Sequence, residues 1–358
     1  MFCALDPREA AIAIRYRYMM PKDVSKCVEG VAAHPVLGPR YGNLIKHLPT
    51  AILSVLGRDC FSAVVFEEFQ GSTTRFLGVG LAGLVSDDFL LELKTTPRFW
   101  VAPELVKRIA GGNSPLLSDA QVRDANSTVG VILVVWHNTI HPKDMANPET
   151  ATPAMTSFEQ HWRGYRLREV IGQADTLEHL YGMRSAGGLY FNRAENRYGN
   201  FPEVTAHDFS SEPRNVGMSR DLALSHGHGV SWLGTLFVYY APPQFFFNRS
   251  EQRLLSSALD GGTDEELGDD LGISLSAVKK TWRTIYDRVA ACQPELVPTN
   301  SQSEQWTQDR GKQKKQRLLA YLREHPEELR PVSRKLLQQE AALRRPAQGP
   351  KSAFDRSV

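Results

Sequence analysis

Residues Val129 to Trp136 read VGVILVVW, a short, continuous apolar run. Such a run fits a strand buried on both faces better than one alternating between core and water. A strand of that kind demands layers, because apolar material must cover both faces of its sheet. The preceding sequence supplies partners for it. Ile12 to Tyr18 alternates apolar and basic residues, as a half-buried strand does. Ser62 to Phe69 and Thr73 to Val85 are β-rich and separated by Gln70-Gly71-Ser72, a hairpin signal. Pro21 opens a helix on which Val24, Cys27, Val28 and Val31 share one face. Further helices are expected over Tyr41 to Leu56, Asp87 to Leu93, Pro103 to Ala110 and Ser157 to Leu180. His137 to Pro153 reads as a loop, and Ser231 to Tyr240 (SWLGTLFVYY) as a last strand stopped by Pro242-Pro243. This alternation makes residues 1–242 an α/β or α+β domain.

From Phe247 to Val289 the strand signals stop. Asn248 or Ser250 can cap a helix whose apolar face is Leu254, Leu255, Ala258 and Leu259. Gly261-Gly262 ends it, and Thr263 with Glu266 three residues on forms a capping-box pattern. The second helix is short and buries Leu267 and Leu271. Gly272 takes the turn, Ile273 is expected to plug the core, and Ser274 caps a third helix. On that helix Val278, Trp282, Ile285 and Val289 share the inner face, while Ser276, Lys279, Lys280 and Arg283 fall outside. A short helix, a tight glycine turn and a longer helix with exposed donors form the helix-turn-helix arrangement, whose second helix enters the major groove. Long donors meet phosphates and base edges. Small residues at the helix start, such as Ser276 and Ala277, allow close approach.

These residues also carry a resemblance. Residues 247–289 are similar to the DNA-binding domain of LuxR/GerE-type (NarL/FixJ-like) response regulators. Glu251 stands where that family keeps a helix-one glutamate. Thr263, Glu266 and Leu267 match its entrance to helix two, Leu271-Gly272-Ile273-Ser274 its turn, and Val278-Lys279 and Ile285-Tyr286 its recognition helix. The departures are Gly268 for a frequent alanine, Trp282 for a frequent leucine, and the acids Asp269 and Asp270. Gly268 should weaken its helix by ~1 kcal/mol relative to alanine. The resemblance implies double-stranded DNA as partner. The contacting residues would be Thr263, Ser274, Ser276, Ala277, Lys279, Lys280, Arg283 and Thr284. A homodimer is expected, since one such unit reads only a half-site.

Charge is distributed to match. The chain has 42 basic and 40 acidic residues, a net of +2 that by itself gives no support to a nucleic-acid partner. Residues 247–289 hold six basic and eight acidic residues, yet four of the bases (279, 280, 283, 288) and only one acid lie on the third helix. Residues 294–358 form the third region. It opens with a polar linker, continues as a helical stretch over Lys312 to Arg345 broken by Pro326 and Pro331, and ends in a dozen residues expected to be disordered. Residues 301–358 carry a net of +6, densest over Gly311 to Arg317, a run able to hold phosphates. Leu318, Leu319, Leu322, Leu329 and Leu336 offer an apolar stripe for a partner protomer.

Other chemistry is thinly represented. Four scattered cysteines without a CxxC pair fit a reducing compartment and no thiolate zinc site. The first twenty residues lack a signal-peptide core, and no apolar stretch is long enough to span a membrane, so a cytoplasmic location is expected. Ser225-His226-Gly227-His228-Gly229 offers two metal ligands without a third, and reads better as a loop. No nucleophile elbow, Walker loop or dinucleotide fingerprint is present. The segments IRYRYMM, PKDVSKCVEGV, FSAVVFEEF and RFLGVGLAGLVS resemble the opening of GNAT-type acetyltransferases. That resemblance implies a helix N-terminus holding a coenzyme A pyrophosphate through a glycine-rich loop. The nearest match, Arg163-Gly164-Tyr165-Arg166, lacks the second glycine, and Gly78-x-Gly80 lies in a strand pattern. The expected protein is therefore a DNA-binding transcriptional regulator. Its parts are an α/β sensor-like domain (1–242), a small all-α helix-turn-helix domain (247–293) and a basic helical tail (294–358). The cofactor stays open. A small molecule or acyl-CoA is the candidate ligand of the first domain, and a GNAT-like acyltransferase with a vestigial helix-turn-helix is the alternative.

Overall fold

The structure, a computed structural model, describes residues 13–70, 73–95, 99–145, 147–203, 213–225, 231–259, 261–297 and 307–344. It is a mixed α/β protein built on one eight-stranded mixed sheet in the order β1-β2-β3-β4-β5-β8-β6-β7. Strand β1 (Ala13–Tyr18) is followed by helices α1 (Val24–Ala33), α2 (Leu37–Tyr41) and α3 (Leu48–Val55). The hairpin β2 (Phe61–Gln70) and β3 (Thr73–Val85) forms as its sequence predicts. Helices α4 (Asp87–Thr95), α5 (Val101–Ala110) and α6 (Asp119–Ser127) lead to β4 (Val131–Asn138). Then come α7 (Pro142–Met145), α8 (Pro148–Trp162), β5 (Leu167–Ala174) and α9 (Leu177–Ser185). The domain closes with β6 (Leu189–Asn192), β7 (Arg197–Gly199), β8 (Arg214–Ser219), α10 (Arg220–Leu224) and α11 (Trp232–Val238).

The apolar run behaves as its composition demands. Val131, Ile132, Leu133 and Val134 are all buried, between antiparallel β3 and parallel β5. Strand β2 shows how the sheet serves two layers. Phe61, Ala63 and Val65 face the main core, while Val64 and Phe66 join a smaller cluster with Ala154 of α8.

Several elements depart from the sequence expectation, each for a local reason. Ser231 to Tyr240 is not a strand. Ser231 caps α11 by accepting from the Gly234 amide, and Leu233, Leu236 and Phe237 are buried at helical spacing. Conversely, Ser157 to Leu180 is not one helical stretch, because β5 lies inside it. Leu167, Val170 and Ile171 are spaced as for a helix. However, Gly164 at φ +86° breaks the chain after α8, and Glu169 reaches across the sheet to Lys94 at 2.6 Å and the Tyr198 hydroxyl at 2.5 Å. Tyr41 to Leu56 splits, with a 3₁₀ segment Gly42–His47 between α2 and α3, after Gly42 at φ +47°. The expected loop His137 to Pro153 contains α7 and the start of α8, which opens with Pro148 in its first turn. Helix α6, which was not anticipated, begins at a capping box of Ser118 and Gln121.

The remaining elements are helical: α12 (Arg249–Leu259), α13 (Asp264–Leu271), α14 (Leu275–Cys292), α15 (Thr307–Glu324), a 3₁₀ turn Pro326–Leu329 and α16 (Arg334–Arg344). They share a second core in which Leu254, Leu255, Leu267, Val278, Trp282 and Ile285 meet Leu318, Leu319, Leu322 and Leu329. Four of the five leucines of the stripe are thus covered by their own chain, and Leu336 is half-buried. Phe245 and Phe247 belong to this core, as does Val297 from the expected linker. Among the described residues, no helix is long and apolar enough to cross a membrane. His226 and His228 lie outside the described residues.

Candidate nucleic-acid interface

Local chemistry fixes the three helices α12 to α14. Glu251 bonds back to the Asn248 amide at 2.8 Å while the Asn248 side chain accepts from the Glu251 amide at 3.0 Å, so Asn248 takes the capping role at the start of α12. Thr263 and Glu266 repeat this reciprocal pairing at α13, and those hydrogen bonds hold the Glu266 carboxyl below its ordinary range. Gly272 adopts the left-handed conformation (φ +65°) at the end of α13. Ser274 then caps α14 by accepting from the Ala277 amide at 3.3 Å.

On α14, Val278, Trp282, Ile285 and Val289 are buried, and Ser276, Lys279, Lys280, Arg283 and Thr284 are exposed. The inward and outward faces are those the sequence spacing predicts. Lys279, Lys280 and Arg283 form no ion pair among the described residues, so the face presents three uncommitted cations. The smaller candidates are more engaged. The Ser274 and Ser276 hydroxyls bond each other at 2.9 Å, and the Thr284 hydroxyl donates to the Lys280 carbonyl at 3.3 Å. Thr263 is exposed, its hydroxyl held by the Glu266 amide, and Ala277 is half-buried.

Three features refine the sequence expectation. Arg288, counted among the bases of the third helix, is tied to the buried Glu251 at 3.1 Å and does not belong to the open face. Ile273 does not plug the core and is 40 % exposed, while Leu267 is the fully buried apolar side chain of α13 and Leu271 is half-buried. Of the acids on α13, Asp264 accepts from the Trp282 indole at 3.2 Å and from Lys315 at 2.9 Å. Asp264, Glu265 and Glu266 occupy the first turn, where they complement the helix dipole. Glu251, Asp264 and Glu266 are thus engaged in holding the fold, while Glu265 and Asp269 are exposed. Lys315 also lies over the Trp282 ring at 5.1 Å, which brings the basic run of α15 beside α13. That proximity was not legible from the sequence, although the spacing of Leu318, Leu319 and Leu322 gives its apolar half.

The N-terminal domain does not place a glycine-rich phosphate loop at the segment that resembles one. Arg163 to Arg166 follows α8 and precedes β5, so no helix begins there. A Cβ at Gly164 would lie 2.4 Å from the Glu327 amide nitrogen, so this glycine admits the C-terminal 3₁₀ turn. At the carboxyl ends of the parallel strands, the Tyr41 hydroxyl meets His137 Nδ1 at 3.2 Å, and Arg40 pairs with Asp175. Burial lowers the pKa of His137 to about 4. Met183 and Val135 pack over Gly172 in the same place. Comparison with family models, curated proteins and solved structures finds no match.

Proposed function

We propose that this chain is a DNA-binding transcriptional regulator in which α14 enters the major groove. The observation that carries this reading is the outward row Ser276, Lys279, Lys280 and Arg283 on a helix whose opposite face is wholly buried. Long cationic donors on one exposed face suit phosphates and base edges, and the caps of α13 and α14 keep the two helices in register. The α/β domain would sense a signal or pair two chains, since two copies are needed to read both halves of a site.

The test is a salt-titrated binding assay on genomic fragments enriched by the full chain. Replacing Lys279 and Lys280 together by alanine removes two phosphate partners. The slope of log K against log salt should then fall by about 1.8. Unchanged affinity and slope would refute the reading. A second reading, a GNAT-like acyltransferase or acyl-CoA binder, draws on the polar cluster of Tyr41, His137, Arg40 and Asp175 at the carboxyl ends of β4 and β5. Calorimetry with acetyl-CoA separates the two, tight binding favouring the second.

A further inference from the structure

A cavity of about 260 Å³ opens where β1 and α8 meet α12, α15 and the 3₁₀ turn. Its walls are strongly biased in charge. Arg163, Arg323 and Arg330 line it and make no ion pair among the described residues, and Glu159 is the one acid among the lining residues. Arg17 also lines it but is neutralised by Asp23 at 2.7 Å and Glu67 at 2.8 Å. Arg330 is only 8 % exposed. Its guanidinium rests on two backbone carbonyls beyond α8, those of Arg163 at 2.9 Å and Gln160 at 2.6 Å, and on the Tyr165 ring. Arg163 Nε and His161 Nε2 are buried without hydrogen-bond partners among the described residues. Arg330, buried and without a carboxylate partner among the described residues, is costly to hold on two carbonyls alone, and a bound anion would offset that cost.

We propose that this cavity is a binding site for a small anion bearing carboxylate or phosphate groups. The volume suits a small metabolite. A DNA backbone could not reach a guanidinium as enclosed as that of Arg330. Planar guanidiniums match both oxyanion types in forked geometry, which gives the site its selectivity for that class. The occupant would touch α8 on one side and α12 and α15 on the other, and so fasten the two halves of the molecule together. The proposal does not depend on the DNA-binding reading, because Lys279, Lys280 and Arg283 line no part of the cavity.

The experiment is calorimetry on the full chain, titrated separately with citrate and with pyrophosphate to distinguish carboxylate from phosphate recognition. Saturable binding of at least one is expected. Arg163→Gln and Arg323→Gln, which leave the Arg330 anchor in place, should each weaken it about tenfold or more. The Lys279→Ala, Lys280→Ala variant should bind as the parent does. The proposal is overturned by absence of saturable binding with both anions. Unchanged binding in either arginine variant overturns it, as does loss of binding in the lysine variant. Thermal melts of each variant confirm that a loss reflects the site and not unfolding.

Discussion

At position 268 two effects of opposite sign meet. Glycine inside α13 forgoes ~1 kcal/mol of helix propensity relative to alanine. Yet Gly268 is buried, and a Cβ there would stand 2.9 Å from the Ile273 carbonyl oxygen, where the chain turns back to donate the Ile273 amide to Gly268. Gly268→Ala should therefore change stability by less than ~1 kcal/mol, the propensity gain being offset by opening of the turn. Gly268→Val adds methyls against the same carbonyl and the Val278 side chain, and should lose ~1–3 kcal/mol. Urea denaturation of both variants checks this, and a valine variant as stable as the parent would refute it. Caps at this scale were legible in the sequence, because Thr263, Glu266 and Ser274 act on amides three residues away. Ile273 was not, since its exposure depends on how far the whole turn stands from α14.

Among elements, α15 is the one whose role the sequence least reveals. Its leucines mark an apolar stripe but do not say whose surface covers it. Leu318 and Leu322 are fully buried against the core of α12 to α14, so α15 completes that core. Leu318→Ala should cost ~2–5 kcal/mol in thermal or chemical denaturation. A stable variant that loses only self-association would instead favour a partner-facing stripe. Periodicity served well where burial is one-sided, as on α14, and where it is complete, as in β4. It misled at β5, where Leu167, Val170 and Ile171 mimic a helix face and strand identity is settled by neighbours on both sides.

For the whole molecule, the docking of the two halves rests on contacts far apart in sequence. Asn126 donates to the Pro331 carbonyl at 2.9 Å, the Ser127 hydroxyl accepts from the Ser333 amide at 2.7 Å, and Arg166 pairs with Glu340 at 2.7 Å. Such pairings leave no periodic trace, which is why the seam was illegible from sequence. Gly164 is its tightest point. Gly164→Val would need a β-branched side chain at φ +86° against the Glu327 backbone, and should part the halves. Scanning calorimetry should then show two transitions in place of one, and a single transition at the parental Tm would refute the docking role. The Glu328 carboxylate accepts from the Gln244 and Phe245 amides at 2.8 and 2.9 Å, so the crossing between the halves is gripped by a residue 84 positions later. Order of synthesis follows from that grip. Helices α12 to α14 leave the ribosome before α15 and the 3₁₀ turn, and until those arrive Phe245, Leu255 and Ile285 lack part of their cover. Helix α14 is thus made well before it is held in place.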